Sequence, residues 1–406
     1  MSKHEKKGLV PELRFPEFQD KGEWKVKKLV NLVSTIKPPK KLLTEDYLEV
    51  GDYPVIDQSK DYICGWTNDH DALVTDPLPL IIFGDHTCTL KLATKPFAQG
   101  ADGIKILESN DLIEPQYLYQ FLQADPVVME SYKRHFSILK EKKVLFPNKD
   151  RGEQQKIADC FSSLDQLIAA HTKKHEALQR YKKGLLQNLF PAEGKSVPKL
   201  RFPEFRDKGE WVIKDLIEFF PNIRNGFVGT ASPYYEENGV PYLQGKNIKL
   251  GYINETGLIR ISQAFHSKQK KSQLRENDIL MVQSGHVGEC AVVCKEFDDA
   301  NCHALIILSP TGQTCSSFFK YLFYAPSGRA LITKVKTGNT IAHILASDLC
   351  AMQVLVPKLE EQQKIADCLS SIDKLITSQS QKIEALKDHK KALMQRLFPS
   401  MDEVEI

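Results

Sequence analysis

EQQKIADCFSSLDQLIAAHTKKHEALQRYKKGLLQNLFP, residues 153–191, returns at residues 361–399 as EQQKIADCLSSIDKLITSQSQKIEALKDHKKALMQRLFP, with 24 of 39 positions identical. A match of that length makes the chain an internal repeat. In the first copy Ile157, Phe161, Leu164, Ile168, His171, His175, Leu178, Lys182, Leu185 and Leu189 alternate four and three residues apart. That period keeps one seam of a helix facing a partner helix. The second copy places Ile365, Leu369, Ile372, Ile376, Gln379, Ile383, Leu386, Lys390, Leu393 and Leu397 at the same positions, again with polar breaks near the middle and at the lysine. A helix of about 36 residues is about 54 Å long, and so narrow a stripe cannot cover it alone. The matching seams are expected to pack together, antiparallel, as a rigid spacer holding one domain at each end.

A second pair of segments flanks the first. PELRFPEFQDKGEW at residues 11–24 matches PKLRFPEFRDKGEW at residues 198–211 in 12 of 14 positions. The chain therefore runs leading segment, middle domain, helix, and then the same again. The two middles share very little direct identity but keep one order of features. A Tyr-Pro-Val or Val-Pro-Tyr opening (Tyr53, Val240) precedes an apolar strand that ends in a polar turn, Gly84-Asp85-His86-Thr87 or Ser284-Gly285-His286-Val287. A further strand (104–107, 305–308) and an aromatic helix (117–122, 318–323) follow, so the middles read as one fold diverged twice. Leu189-Phe190-Pro191 runs on into the second leading segment, whereas the continuation that Leu397-Phe398-Pro399 lacks stands at the start of the chain. The halves read as a circle cut once, with pseudo-twofold symmetry and the termini near one another.

Composition sets the outer bounds. The 406 residues are 42% hydrophobic and 26% charged, the balance of globular domains, and the net charge of +3 neither demands nor forbids a polyanionic partner. Nine scattered cysteines without an apolar signal segment predict reduced thiols and a cytoplasmic location. The longest apolar runs are strand-sized, well short of the roughly 20 residues that span a bilayer. Boundaries are expected at 1–150 for the first domain with its leading segment, 151–191 for the first helix, 192–358 for the second domain with its leading segment, 359–399 for the second helix and 400–406 for a tail. The fold class is mixed α/β (α+β). A spacer of tens of ångströms exceeds one turn of B-DNA, about 34 to 36 Å, which suits two half-sites read from one side.

The frame resembles the specificity subunit of type I restriction-modification systems. The residues that carry the resemblance are Val354-Leu355-Val356-Pro357-Lys358-Leu359-Glu360-Glu361-Gln362-Gln363-Lys364-Ile365-Ala366 and the looser Val144-Leu145-Phe146-Pro147 followed by Glu153-Gln154-Gln155-Lys156-Ile157-Ala158, which carries two extra residues between Pro and Glu. The resemblance spans nearly the whole chain. It implies that each middle is a target-recognition domain reading one half of a bipartite, asymmetric double-stranded DNA target. It also implies that the helices set the gap and dock two methyltransferase subunits, which bring S-adenosylmethionine, and that separate motor-nuclease (restriction) subunits join them. No cofactor or metal is expected on this chain, and no catalytic residue.

Base edges and phosphates are met by amides, hydroxyls and basic side chains on loops. In the first domain these are Lys60, His86, Thr87 and Lys91; in the second, Gln244, Lys246, Asn247, Lys270, Lys271, Gln283, Ser284, His286, Lys336, Thr337 and Asn339. Each lysine taken alone is better explained as solvated surface. An acid-base role for His86 and His286 lacks a matching carboxylate, since Asp85 faces Gly285 in the comparison. Cys290, Cys294, Cys302 and His303 lack the paired short spacings of zinc knuckles and sit in strand-like flanks. A lone methyltransferase would need a glycine-rich cofactor loop and an Asn-Pro-Pro-aromatic motif, and neither is found. The remaining alternative is a non-catalytic coiled-coil scaffold whose side domains bind protein.

Overall fold

The structure, a computed structural model, describes residues 9–101, 103–130, 134–336 and 342–399. It divides into two compact units, one drawn from residues 1–172 and 381–406, the other from 173–380. Each unit combines one middle domain, the beginning of the helix that follows it and the end of the other long helix. The compact units therefore cut both helices midway, where the sequence boundaries kept each helix whole, because a helical turn belongs with whatever its side chains pack against.

The first unit contains, in chain order, β1 (Lys25–Lys28), β2 (Val33–Ile36), β3 (Tyr53–Ile56), β4 (Gly65–Thr67), β5 (Leu73–Val74), β6 (Leu80–Gly84), β7 (Leu90–Ala93), β8 (Phe97–Gln99), β9 (Ile104–Ser109), α1 (Pro115–Ala124), α2 (Phe136–Glu141), β10 (Lys143–Phe146) and the start of α3 (Glu153–Asn188). The second contains the end of α3, then β11 (Val212–Asp215), α4 (Leu216–Phe219), β12 (Asn222–Asn225), β13 (Tyr235–Leu243), β14 (Ile248–Lys249), β15 (Tyr252–Ile253), β16 (Ile259–Ile261), α5 (Gln263–Lys268), β17 (Ile279–Val282), β18 (Cys290–Val292), β19 (Asn301–Cys302), β20 (Leu305–Ser309), α6 (Ser316–Tyr324), α7 (Pro326–Val335), α8 (Ala346–Cys350), β21 (Gln353–Val356) and the start of α9 (Leu359–Leu397).

The two middles share a topology despite their unlike sequences. One sheet has the order β2-β9-β6-β7 in the first unit and β12-β20-β17-β18 in the second, with antiparallel neighbours throughout. The other is β4-β3-β8-β5 or β16-β13-β19, in which β3–β8 and β13–β19 are parallel. The expectation of one fold used twice is met: the first sheet matches strand for strand, and the second matches except that β5 has no counterpart strand among the described residues of the second unit. The hairpin β14–β15 is found only in the second middle among the described residues.

The apolar runs of β6 and β20 are central strands buried on both faces, which is why they read as continuous rather than alternating. Their period of two still sorts them. Ile81 and Phe83 meet the aromatic helix α1, while Leu80 and Ile82 line a separate core. In the second unit Ile306 and Leu308 face α6, and Leu305 and Ile307 face away. Cys290, Cys302 and Cys315 are buried thiols, and burial pushes the Cys290 thiol up to about 12. Cys294 is exposed, and the described residues contain no group of three His, Cys, Asp or Glu side chains placed to hold a metal. No helix among them is long and apolar enough to cross a membrane.

The long helices α3 and α9 have 36 and 39 residues. All twenty seam positions are buried or half-buried. In the first unit the last turn of α9 lies on the first turns of α3: the Phe398 ring stacks 5.6 Å from Phe161 and meets Tyr117 and Phe121 edge-on. In the second unit the last turn of α3 lies on the first turns of α9, with Leu185, Leu189 and Phe190 in one core with Ile365 and Leu369. The helices are antiparallel.

The cut circle is visible in one hydrogen bond made twice. Leu200 N donates to Asn188 O across a continuous chain, and Leu13 N donates to Arg396 O across the two ends, both at 2.8 Å. A buried ion pair explains why the leading segment repeats so closely. Arg14 donates Nε and Nη2 to the two carboxylate oxygens of Glu153 at 2.7 Å each, and Arg201 does the same to Glu361 at 2.8 Å. The third guanidinium nitrogen reaches the carbonyl of Gly22 or Gly209, whose positive φ turns that carbonyl inward. Gln154 and Gln362 donate to the carbonyls of Pro147 and Pro357 and close the same corner.

Candidate DNA interface

Each middle brings two loops together at one end of its sheets. In the first unit these are residues 57–61, leaving β3, and the turn after β6. The Thr87 and Thr89 hydroxyls both donate to Gln58 O, at 2.7 and 3.1 Å. Gly103, at φ +103°, leaves the room that the Gln58 amide occupies. Lys60 and Thr87 are exposed and His86 is half-buried beside them.

Lys91 does not share that surface. Its side chain is 5% exposed and its ammonium donates to Asp57 O and Asp61 O at 2.8 and 2.5 Å. Burial pulls its pKa below the usual lysine range, against the attraction of Asp57. Its expected role as a DNA contact is corrected: β7 alternates, Lys91 falls on the inward face, and a buried ammonium must find carbonyls. It braces the 57–61 loop from beneath. The turn after β6 is anchored in the same way by residues that the sequence did not mark. Asp85 O accepts from His135 N at 2.8 Å, and Asp85 Oδ1 accepts from Phe136 N at 2.8 Å.

In the second unit the loops are residues 244–247, leaving β13, and 283–288, leaving β17; Gly245 packs on Val282. Lys246, Ser284 and His286 are exposed, and Gln244 and Gln283 half-buried. Asn247, expected to face DNA, is fully buried: its Oδ1 accepts from Gln244 N at 3.0 Å and its Nδ2 donates to Asn254 O at 2.9 Å. It is the clamp of the loop, not a contact, because a side chain with no exposed surface, bonded through both its oxygen and its nitrogen to backbone, cannot reach a base. Gln283 O accepts from Ile344 N at 3.0 Å, which holds the other turn.

Glu289, unmarked by sequence reading, is the hub behind these loops. Its carboxylate accepts from Leu250 N, Tyr324 Oη and Arg329 Nη2, each at 2.8 Å. Burial alone would raise its pKa, but these donors hold it below the usual carboxylate range. Lys336 is exposed one turn beyond Ile332, which packs on Gly288. Lys270 and Lys271 are exposed at the other end of β17, where Arg224 holds Lys271 O at 2.7 Å and reaches Asp278 at 3.8 Å. The structure does not bring them to the loop pair. Thr337 and Asn339 lie outside the described residues.

The same loop pair on the same topology, carrying unlike side chains, is what two readers of different sequences require. The family model described as the type I restriction modification DNA specificity domain matches residues 21–180 and again 208–388. The chain belongs to the type I specificity family. It is 24% identical over 411 residues to the type I restriction enzyme MjaVIII specificity subunit of Methanocaldococcus jannaschii, covering 95% of this chain and 93% of that one. It is 23% identical over 372 residues to the EcoR124I/EcoR124II specificity subunit of Escherichia coli, covering 85% and 86%. The crystal structure of a type I S subunit from M. genitalium has the same fold, with a TM-score of 0.68 at 17% identity over 97% of this chain and 100% of that one. As a type I specificity subunit, the chain is a sequence-recognising DNA-binding component of a restriction-modification complex.

Proposed function

We propose that the 57–61 and 84–89 loops read one half of a bipartite, asymmetric double-stranded DNA target and the 244–247 and 283–288 loops the other. The antiparallel α3 and α9 set the gap and dock two methyltransferase subunits, which bind S-adenosylmethionine; motor-nuclease subunits join the complex in the cytoplasm. The chain itself serves recognition, and the chemistry belongs to the methyltransferase and motor-nuclease subunits. The single observation that carries this reading is the loop pair, built twice on one scaffold with different side chains at each tip.

Co-expression with the methyltransferase of its own system, followed by single-molecule mapping of methylated adenines, is expected to give a split motif with a fixed gap. Replacing residues 25–150 with the corresponding domain of another specificity subunit is expected to change one half of that motif and leave the other intact. A motif indifferent to the replacement, together with DNA binding that does not weaken as salt rises, would return the protein to the class of protein-binding scaffolds. Removing one heptad from each of α3 and α9, about 10 Å of rise, is expected to alter the gap while both half-sites persist. An unchanged gap would remove the spacer role.

A further inference from the structure

In the second unit one carboxylate gathers three elements. Buried Asp373, on α9, accepts a hydrogen bond from the Tyr321 hydroxyl of α6 at 2.7 Å and pairs with Lys182 of α3 at 2.5 Å. Lys320, beside Tyr321, is also buried and lays its ammonium 4.1 Å from the Tyr321 ring centroid and 5.6 Å from that of Tyr252. The Tyr252 hydroxyl faces Asp373 and Thr377 of α9. The first unit has the same repeat-encoded pair, Asp165 with Lys390 at 2.6 Å, and Gln120 in the place of Tyr321 at 2.8 Å. From there the arrangement differs: Ala169 stands where Thr377 does, and Tyr119, bonded by Gln123 at 2.6 Å, stands where Lys320 does. The first unit also shows no hairpin like β14–β15 among its described residues.

Tyr252 stands on that hairpin, and the hairpin is fastened to the loop at residues 244–247. Asn247 and Asn254 exchange two hydrogen bonds, at 2.7 and 2.9 Å, and Leu250 N at the tip is held by Glu289. A series of hydrogen bonds and ring–ammonium contacts thus runs from Asp373 of the spacer helix through Tyr321, Lys320 and Tyr252 to the hairpin and its loop. We infer that Tyr252 is a positioning residue for the second half-site: it ties residues 244–254 to α9, so that this loop takes its place on DNA from the spacer helix as well as from the recognition sheet. The inference rests on the reading of residues 244–247 as part of the second DNA interface. A ring under an ammonium that is itself seated on the Tyr321 ring, whose hydroxyl is bonded to the buried Asp373 carboxylate, holds direction more tightly than apolar contact does. The first unit has no lysine at the place of Lys320 and no counterpart of this hairpin among its described residues.

The test maps methylation motifs of the complete complex carrying Tyr252→Ala, a substitution at a half-exposed position, with thermal unfolding measured alongside. The expected result is an unchanged second half-site, methylation at the native gap slower by about tenfold, and new sites whose gap is one base pair longer or shorter. Tyr252→Phe keeps the ring over Lys320 but loses the hydroxyl, and is expected to fall between wild type and Tyr252→Ala. Asp165→Asn loosens the equivalent helix pair of the first unit and is expected to leave the gap distribution unchanged. A native gap distribution and rate in Tyr252→Ala would overturn the inference, and so would an equal spread in Asp165→Asn, which would assign the effect to the helix pair in general. Gln244→Ala combined with Lys246→Ala tests the underlying reading separately. If the second half-site survives that pair unaltered, the loop is not a reader, whatever the Tyr252 variants do.

Discussion

Glu361→Gln is expected to destabilise the second unit by about 3–5 kcal/mol, lowering its thermal transition by on the order of 10 °C. Arg201 and Glu361 are each under 10% exposed, and the guanidinium makes two parallel bonds to the carboxylate and a third to Gly209 O. Gln can answer only part of that fork and leaves a buried cation without its counter-charge, the costly case, since desolvation of the arginine is no longer offset. Trp211 Nε1 also donates to Glu361, at 3.3 Å. Glu153→Gln is expected to do the same to the first unit through Arg14. The double variant Arg201→Met with Glu361→Leu should recover much of the loss, because replacing a buried pair by apolar groups is often near neutral. Calorimetry of the three proteins decides. A single-variant loss below about 1 kcal/mol, the range of surface pairs, would mean that water reaches this corner in solution.

Phe398→Ala is expected to cost the first unit about 3–5 kcal/mol, the range for removing a buried phenylalanine ring. Its ring lies among Phe161, Tyr117 and Phe121, with centroids 5.4 to 5.7 Å away, so a cavity there would have aromatic walls that cannot close. The consequence differs from that of Phe190→Ala in the second unit. Phe190 is followed by chain that re-enters its own core at Trp211, so its turn stays tethered. The last turn of α9 is held to the leading segment only by non-covalent contacts, Leu13 N to Arg396 O and Glu12 to Arg396. Hydrogen exchange should therefore show residues 381–399 losing protection in Phe398→Ala, while residues 173–190 keep theirs in Phe190→Ala. Equal protection in the two variants would show that the cut in the circle has no mechanical consequence.

The frame was legible because it is written twice. A seam at alternating spacings of three and four names a paired helix, and its return at residues 361–399 names the partner. The apolar runs of β6 and β20 and the aromatic helices were legible because burial on both faces, or along one helical stripe, leaves a pattern in residue type alone. The candidate interface was legible only in outline. Gln244, Lys246, Gln283, Ser284 and His286 do gather at one end of the second middle, but Lys91 and Asn247, chosen for the same chemistry, face inward, and Lys270 and Lys271 stand at the far end of a strand. Residue type tells which groups are able to meet a base; it does not tell which carbonyls have already claimed them.

By itself, then, the sequence determined the repeat, the antiparallel helix pair, the order of a few leading features in each half, and the family. Local periodicity and internal identity are properties of the chain, and they survive without coordinates. Only the tertiary structure decided that Arg14 belongs to Glu153 and Arg201 to Glu361, that Lys91 and Asn247 are braces, that Glu289 carries a hub, and that Tyr252 reaches a spacer helix more than a hundred residues away. These are pairings between positions with no sequence period to link them. A hydrogen bond is a short-range, directional contact, and which groups come within its reach is set by the packing of the whole unit rather than by any stretch of it.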